Sequence, residues 1–320
     1  MKQLAILIPT KGHPDNIKAF IEKSKDDLKR SGYDLYVGES DERQESKSVL
    51  KIYNDAGYNN LHYHFFENNP ESEMKVQMLC QMASEEYHYL WICRDGLLPS
   101  FDNISSQLDD LMGKEYNVIS IMRNDRSVRK GHYVSQAYTN LNEFFRELYW
   151  HMTFWGSYII DNEMGRYFSK QSRSLKGTDN SFFMLEVVFN YLAEKKNFSA
   201  YNIVGDTYCD LHPGQKSTWR HKDHLLKIWA KAWCDTIDRL PSVYDSDKSY
   251  VKLSNNLNLN YFAIPKLLNF RAEGDFTTDS VNNYKKYIKE VSNTPMFFFY
   301  AISLLPMKPL KFIKDLIIRK

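Results

Sequence analysis

The 320-residue chain has little of several things that would narrow its class. It has four cysteines, Cys80, Cys93, Cys209 and Cys234, with no C-x-x-C pair among them. Neither a disulfide framework nor a thiolate zinc site is expected, and such usage fits a reducing compartment. Charge of one sign is also scarce: 42 Lys and Arg face 40 Asp and Glu, a net of +2. That removes any global electrostatic argument for nucleic acid as a partner. No apolar run approaches the roughly eighteen residues that a membrane-spanning helix needs. A secretory leader is not expected, because Lys2 precedes only a short apolar run ending at Pro9. A cytoplasmic location is the expectation. Internal repeats and low-complexity tracts are missing too.

Aromatic residues, in contrast, are plentiful at 15%, with 22 Tyr and 19 Phe. Ring faces can stack on sugar C–H surfaces, or they can fill cores. Hydrophobic content of 43% and charged content of 26% are those of an ordinary globular chain.

Leu4-Ala5-Ile6-Leu7-Ile8 is an unbroken apolar run, the pattern of a strand buried on both faces. Pro9-Thr10-Lys11-Gly12 breaks it, and Ile17, Phe20, Ile21 and Leu28 then recur at helical spacing up to Gly32. Strands are predicted over 33–37, 61–65 and 87–92, and helices over 46–56 and 73–84. This alternation predicts a mostly parallel α/β sheet flanked by helices, whose ligands sit beyond the carboxyl ends of its strands. Residues 9–12, 38–42 and 93–96 are three such ends. Further on, a strand is expected over 117–122, a helix over 179–195 and a strand over 201–204. The Asn- and Ser-rich stretch 245–260 reads as a loop, within a mainly helical region that starts near Thr218.

Five segments in this order resemble family 2 glycosyltransferases with the GT-A fold, over roughly residues 3–220. Pro9-Thr10 closes the first strand, where the family contacts the nucleotide. Val37-Gly38-Glu39-Ser40 places Glu39 where an acidic residue binds base or ribose, with Asp41 as the fallback. Lys75, in Glu73-Met74-Lys75-Val76, stands near the family's basic residue; a solvated surface lysine is the alternative. Trp91-Ile92-Cys93-Arg94-Asp95-Gly96-Leu97-Leu98-Pro99 is similar to the metal-binding Asp-x-Asp segment, with Asp95 on the last aspartate and Cys93 replacing the first. Lys176-Gly177-Thr178-Asp179-Asn180-Ser181-Phe182 resembles the segment that supplies the catalytic base, which would make Asp179 that base; a helix cap is the alternative. Two further stretches, Trp155–Ile160 and Tyr208–Ser217, are similar to the acceptor-side strand and to the segment where a histidine, here His212, can ligate metal.

The resemblance implies a GT-A-like catalytic domain over 1–225, with a nucleotide-binding half about 1–100 and an acceptor half about 101–225, and a helical extension over 226–320. It implies transfer with inversion from a nucleotide-sugar donor of the UDP type to a glycan or lipid-linked acceptor, in surface polysaccharide synthesis. A divalent cation, Mn²⁺ or Mg²⁺, would sit at Asp95 and His212; Arg94 would otherwise carry the diphosphate charge. Two alternatives stay open: a nucleotide-sugar-binding protein without catalysis, supported by Cys93 and Thr178, and an assembly protein. The end of the chain, Pro306 to Lys320, mixes basic and apolar residues. It suits an interfacial helix at the inner face of a membrane, or else docking on the protein or in a homodimer.

Overall fold

The computed structural model of the chain describes residues 1–125, 133–171, 181–211 and 224–318. It divides into two compact units. One comprises Met1–Phe144, His151–Arg173 and Val187–Gly214; the other comprises Phe145–Trp150, Ser174–Glu186 and Gln215–Lys320.

The first unit holds the sheet. Its strands are β1 (Lys2–Thr10), β2 (Asp34–Glu39), β3 (Leu61–Phe65), β4 (Tyr87–Ile92), β5 (Leu97–Pro99), β6 (Val118–Arg123), β7 (Gln136–Tyr138), β8 (Tyr158–Asp161), β9 (Ala200–Gly205) and β10 (Tyr208–Asp210). Eight of them form one sheet in the order β3-β2-β1-β4-β8-β6-β9-β7, while β5 and β10 form a separate two-stranded ribbon. The predicted apolar run is the centre: Leu4 to Ile8 have no exposed surface. On either side β1 pairs in parallel with β2 and β4, and β2 pairs in parallel with β3. Helices α1 (Pro14–Ser31), α2 (Glu45–Asp55), α3 (Ser72–Ala83) and α4 (Phe101–Met112) make the connections. In α1 the apolar stripe Ile17, Phe20, Ile21 and Leu28 is buried, Pro14 fills the first turn, and Gly32 closes the helix at φ 66° while donating to Leu28 O.

Past β4 the sheet is mixed. β8 runs antiparallel to both β4 and β6, and β7 antiparallel to β9. The architecture is an α/β sheet flanked by helices, followed by further helices towards the end of the chain.

The second unit is helical among its described residues. Aromatic rings fill its interior: Trp233 packs against Tyr149 at 5.1 Å and Phe182 at 5.2 Å between centroids, and Phe145 against Tyr244 at 4.5 Å. Arg239 forks onto the buried Glu186, with Nη2 at 2.7 Å and Nε at 3.1 Å. The stretch 245–260, expected as a loop, is a helix over Asp245–Leu259. Its composition misled because the buried positions Val251, Ser254 and Asn258 keep helical spacing with small or polar side chains. No helix among the described residues is long and apolar enough to cross a membrane.

At the amino-terminal edge of the sheet, four strands meet on one carboxylate. Asp34 accepts from Lys2 Nζ at 2.6 Å and from the Tyr87 hydroxyl, and lies 3.3 Å from His62 Nε2. The His62 ring stacks on Tyr36 at 4.4 Å. Burial alone would raise the Asp34 carboxyl, but the bonds from His62, Lys2 and Tyr87 outweigh it and hold the group below its ordinary value. A lowered carboxylate stabilises the fold above its unfolded pKa of about 3.9, and that contribution is lost as pH falls through the folded value. Asp34→Asn is therefore expected to cost about 1–3 kcal/mol in urea denaturation at neutral pH. The gap between variant and wild type is expected to close as the titration is carried into acid.

Candidate active site

Parallel pairing decides which loops meet. Thr10 is the register partner of Glu39, and Pro9 of Gly38, while the Cys93 N–H donates to Leu7 O at 2.9 Å. The ends of β1, β2 and β4 therefore lie side by side at the carboxyl edge of the sheet.

Asp95 stands just past β4. The Thr10 hydroxyl donates to its Oδ2 at 2.7 Å, and His13 Nδ1 lies 2.7 Å from the same oxygen. Lys75, from α3, is buried rather than solvated, and its ammonium donates to Thr10 O at 2.9 Å and Ser40 Oγ at 3.0 Å. That one side chain ties the end of β1 to the loop after β2. Burial, seconded by the neighbouring Lys11 charge, pushes the Lys75 ammonium below its ordinary pKa. An anion arriving beside it would relieve that penalty.

Glu39 is buried with no exposed surface. Its Oε1 accepts from Ser46 Oγ at 3.0 Å, and its Oε2 accepts from Ser46 N at 3.2 Å and from the Tyr63 hydroxyl at 3.2 Å. The carboxylate thus meets the amino-terminal turn of α2, where backbone N–H groups lack helical partners and a negative charge is favoured. Beside it, Gly38 allows a close approach: a Cβ there would stand 2.5 Å from Phe66 Cε2 and 3.1 Å from Leu79 Cδ1. Gly12 has φ 67°, a left-handed conformation that strains other residues, and a Cβ on it would stand 2.7 Å from Asp41 Oδ2, so a larger residue would also have to displace that side chain. Arg43 holds Asp41 through Nε at 2.9 Å.

A second group of charges borders the first. Arg94 pairs with Asp210 on β10, whose other oxygen lies 3.8 Å from Arg123 Nη1. Arg123 also forks onto Asp125 at 2.7 and 3.0 Å, and its guanidinium lies over the Tyr208 ring at 5.6 Å. Cys209, next to Asp210, is exposed, whereas Cys80, Cys93 and Cys234 are buried.

The structure thus gathers Pro9, Thr10, Lys75 and Asp95 at one edge, sets Glu39 beneath them and turns Arg94 towards Asp210. The expected base Asp179 and the expected ligand His212 lie outside the described residues. The sequence assigns no role to His13, Ser40, Asp210 or Arg123, although Ser40 lies within the strand end 38–42. His13 lies one residue beyond the strand end 9–12, close enough for the strand-end rule to reach it. Asp210 lies within the segment Tyr208–Ser217 that also carries His212.

For a divalent cation, Asp95 supplies one oxygen donor set. Cys93 supplies none, because complete burial pushes its thiol well up and keeps it neutral. Among the described residues no group of three or more His, Cys, Asp or Glu side chains is arranged to hold a metal. A single carboxylate still fits an ion that takes most of its shell from substrate phosphates.

No protein-family model matches the sequence, and no curated protein matches it. Solved structures do match in fold. S. aureus TarS 1–349 superposes at TM-score 0.54 with 9% identity, covering 94% of this chain and 90% of that one. The same TarS fragment in complex with UDP-GlcNAc gives TM-score 0.50 and 11% identity, over 91% and 82% of the two chains. The mannosyltransferase PcManGT from Pyrobaculum calidifontis, in complex with GDP-Man and Mn²⁺, gives 0.50 and 12%, over 98% and 87%. At such identities the likeness establishes the fold, a GT-A-like α/β architecture.

Glu39→Gln is expected to lower stability by about 1–3 kcal/mol, because the new amide would face groups that donate to the carboxylate. Chemical denaturation at neutral pH measures it. An unchanged unfolding midpoint would mean that Glu39 does not anchor α2.

Proposed function

We propose that the chain is a glycosyltransferase that moves a sugar from a nucleotide-sugar donor to a glycan or lipid-linked acceptor. The observation that carries this reading is the buried Lys75 beside Thr10, Ser40 and Asp95 at the carboxyl ends of β1, β2 and β4. Support comes from the fold shared with chains solved with UDP-GlcNAc or GDP-Man. Residues 1–225 form the proposed catalytic domain, donor half first and acceptor half from about 101, and 226–320 the extension. A UDP-type donor, a cytoplasmic location and a part in surface polysaccharide synthesis belong to the same proposal.

In this reading Pro9 and Thr10 flank the nucleotide, and Glu39 accepts from its base or ribose while holding, through Ser46, the loop that carries Ser40. Lys75, with two of its three donors spent on Thr10 and Ser40, turns the third towards a phosphate oxygen. Arg94 exchanges its pairing with Asp210 for the leaving diphosphate, whose developing charge its planar fork suits. Asp95, with His212 as second proposed ligand, would hold Mn²⁺ or Mg²⁺, which when bound offsets charge on the diphosphate. Asp179 removes the acceptor hydroxyl proton as the oxygen attacks the anomeric carbon from the face opposite the nucleotide, so the configuration inverts. The neutral Cys93 favours a second reading, a nucleotide-sugar-binding protein without turnover.

Calorimetry with UDP, GDP and CMP, with and without Mn²⁺, tests the donor half on wild type and Asp95→Ala. One nucleotide is expected to bind, more tightly with Mn²⁺, and Asp95→Ala is expected to remove that gain. Binding of none of the three would overturn the proposal. For the base, Asp179→Asn is expected to cut sugar transfer about 10²- to 10⁴-fold while nucleotide affinity stays unchanged. Nucleotide binding with no transfer by wild type would favour the second reading.

A further inference from the structure

The helix Met296–Leu304 reads MFFFYAISL, apolar nearly all round, a composition that calls for burial on every side. Only one side is buried. Phe299 and Ile302 face inward, with Phe299 packed against Phe262 at 6.3 Å and Phe276 at 6.2 Å between ring centroids. Polar contacts pin the element as well: the Tyr300 hydroxyl donates to Asn282 Oδ1 at 2.9 Å, Ser303 Oγ lies 3.1 Å from Thr278 Oγ1, and Arg271 Nε donates to Leu305 O at 2.8 Å. The other side is open to solvent. Phe297 is 73% exposed, Leu304 71% and Phe312, on the next helix Met307–Ile318, 65%; Phe298, Leu305 and Met307 join them. Six of the fifteen exposed large hydrophobic residues of the described chain thus fall within Phe297–Phe312. Scattered singly they would need no explanation, but gathered on a pinned scaffold they mark a contact surface.

Charge decides what that surface fits. Lys308 and Lys311 are exposed and adjoin Met307 and Phe312 in the sequence. Over Met307–Lys320 the sequence carries five basic residues, Lys308, Lys311, Lys314, Arg319 and Lys320, against Asp315 alone, in a chain whose whole net charge is +2. In a two-fold contact, where the same patch meets itself, a second copy would set two such basic segments against each other. A surface that is itself negative and accepts inserted aromatic and aliphatic side chains answers both features.

We infer that Phe297–Phe312 is a docking surface for an anionic lipid bilayer. Phe297, Leu304 and Phe312 enter the acyl boundary while Lys308 and Lys311 meet the headgroup phosphates. The inference stands apart from the transferase reading, since vesicle binding is measured with neither nucleotide nor acceptor present.

The test is co-sedimentation of the full chain with vesicles of phosphatidylcholine alone and of phosphatidylcholine mixed with phosphatidylglycerol. The wild type is expected to pellet with the anionic vesicles, to stay in solution with the neutral ones, and to be released by salt. Phe297→Ser with Phe312→Ser is expected to weaken anionic binding about tenfold or more, and Lys308→Glu with Lys311→Glu to weaken it similarly and flatten its salt dependence. Both pairs lie on exposed positions, and an unchanged urea midpoint shows that each variant folds. Equal binding to the two vesicle types, or variants that bind as the wild type does, would overturn the inference. So would a wild-type dimer in solution that the Phe297→Ser, Phe312→Ser variant dissociates while no vesicle binds: the patch would then be covered by a second copy.

Discussion

The whole arrangement hangs on a strand that has no side facing water. Leu4, Ala5, Ile6, Leu7 and Ile8 are fully buried, with β2 on one flank, β4 on the other and helices over both faces. Burying a large aliphatic side chain is worth about 1.5–3 kcal/mol. Four of them on one strand therefore reach the scale of a whole domain's net stability, about 5–15 kcal/mol. Such a strand cannot slip by a residue without sending apolar groups the wrong way. Its parallel register then dictates that the loops at 9–13, 39–46 and 93–96 emerge together. The meeting of Thr10, Lys75 and Asp95 follows from that register.

This part of the molecule was legible because its signal is local and strong. The run Leu4–Ile8, the stripe Ile17, Phe20, Ile21 and Leu28, and the stop at Gly32 each have one physical reading, and all lie where expected. The helix Asp245–Leu259 was not legible, since its buried face uses Ser254 and Asn258, which composition assigns to loops. The insertion of β8 between β4 and β6 was equally hidden: strand order depends on contacts distant in sequence. Of the site, residue positions at strand ends could be read, but their partners could not. Nothing in the spacing of Lys75 says that it reaches back 65 residues to Thr10, or that Arg94 reaches forward 116 residues to Asp210.

The charged groups around the carboxyl edge are satisfied by one another. Asp95 is met by Thr10 and His13, Asp210 by Arg94 and Arg123, and Asp41 by Arg43. An anion that binds at Arg43, Arg94 or Arg123 exchanges partners with a group already paired. The gain from each contact is then a difference between two hydrogen-bonded states, which makes geometry rather than net charge the source of selectivity. Lys75 differs from the others because both of its hydrogen bonds go to neutral oxygens, a carbonyl and a hydroxyl, while the Asp95 and Glu39 charges act on it without bonding to it.

The distribution of thiols has a practical side. Three of the four cysteines are shut inside, and Cys209 is open to solvent on the short β5–β10 ribbon, next in sequence to the carboxylate that the two arginines share. A thiol-selective fluorophore or spin label added to the native chain therefore has a single address. The wild-type sequence already contains a spectroscopic vantage point at the rim of the strand-end cluster, with no other cysteine to engineer away.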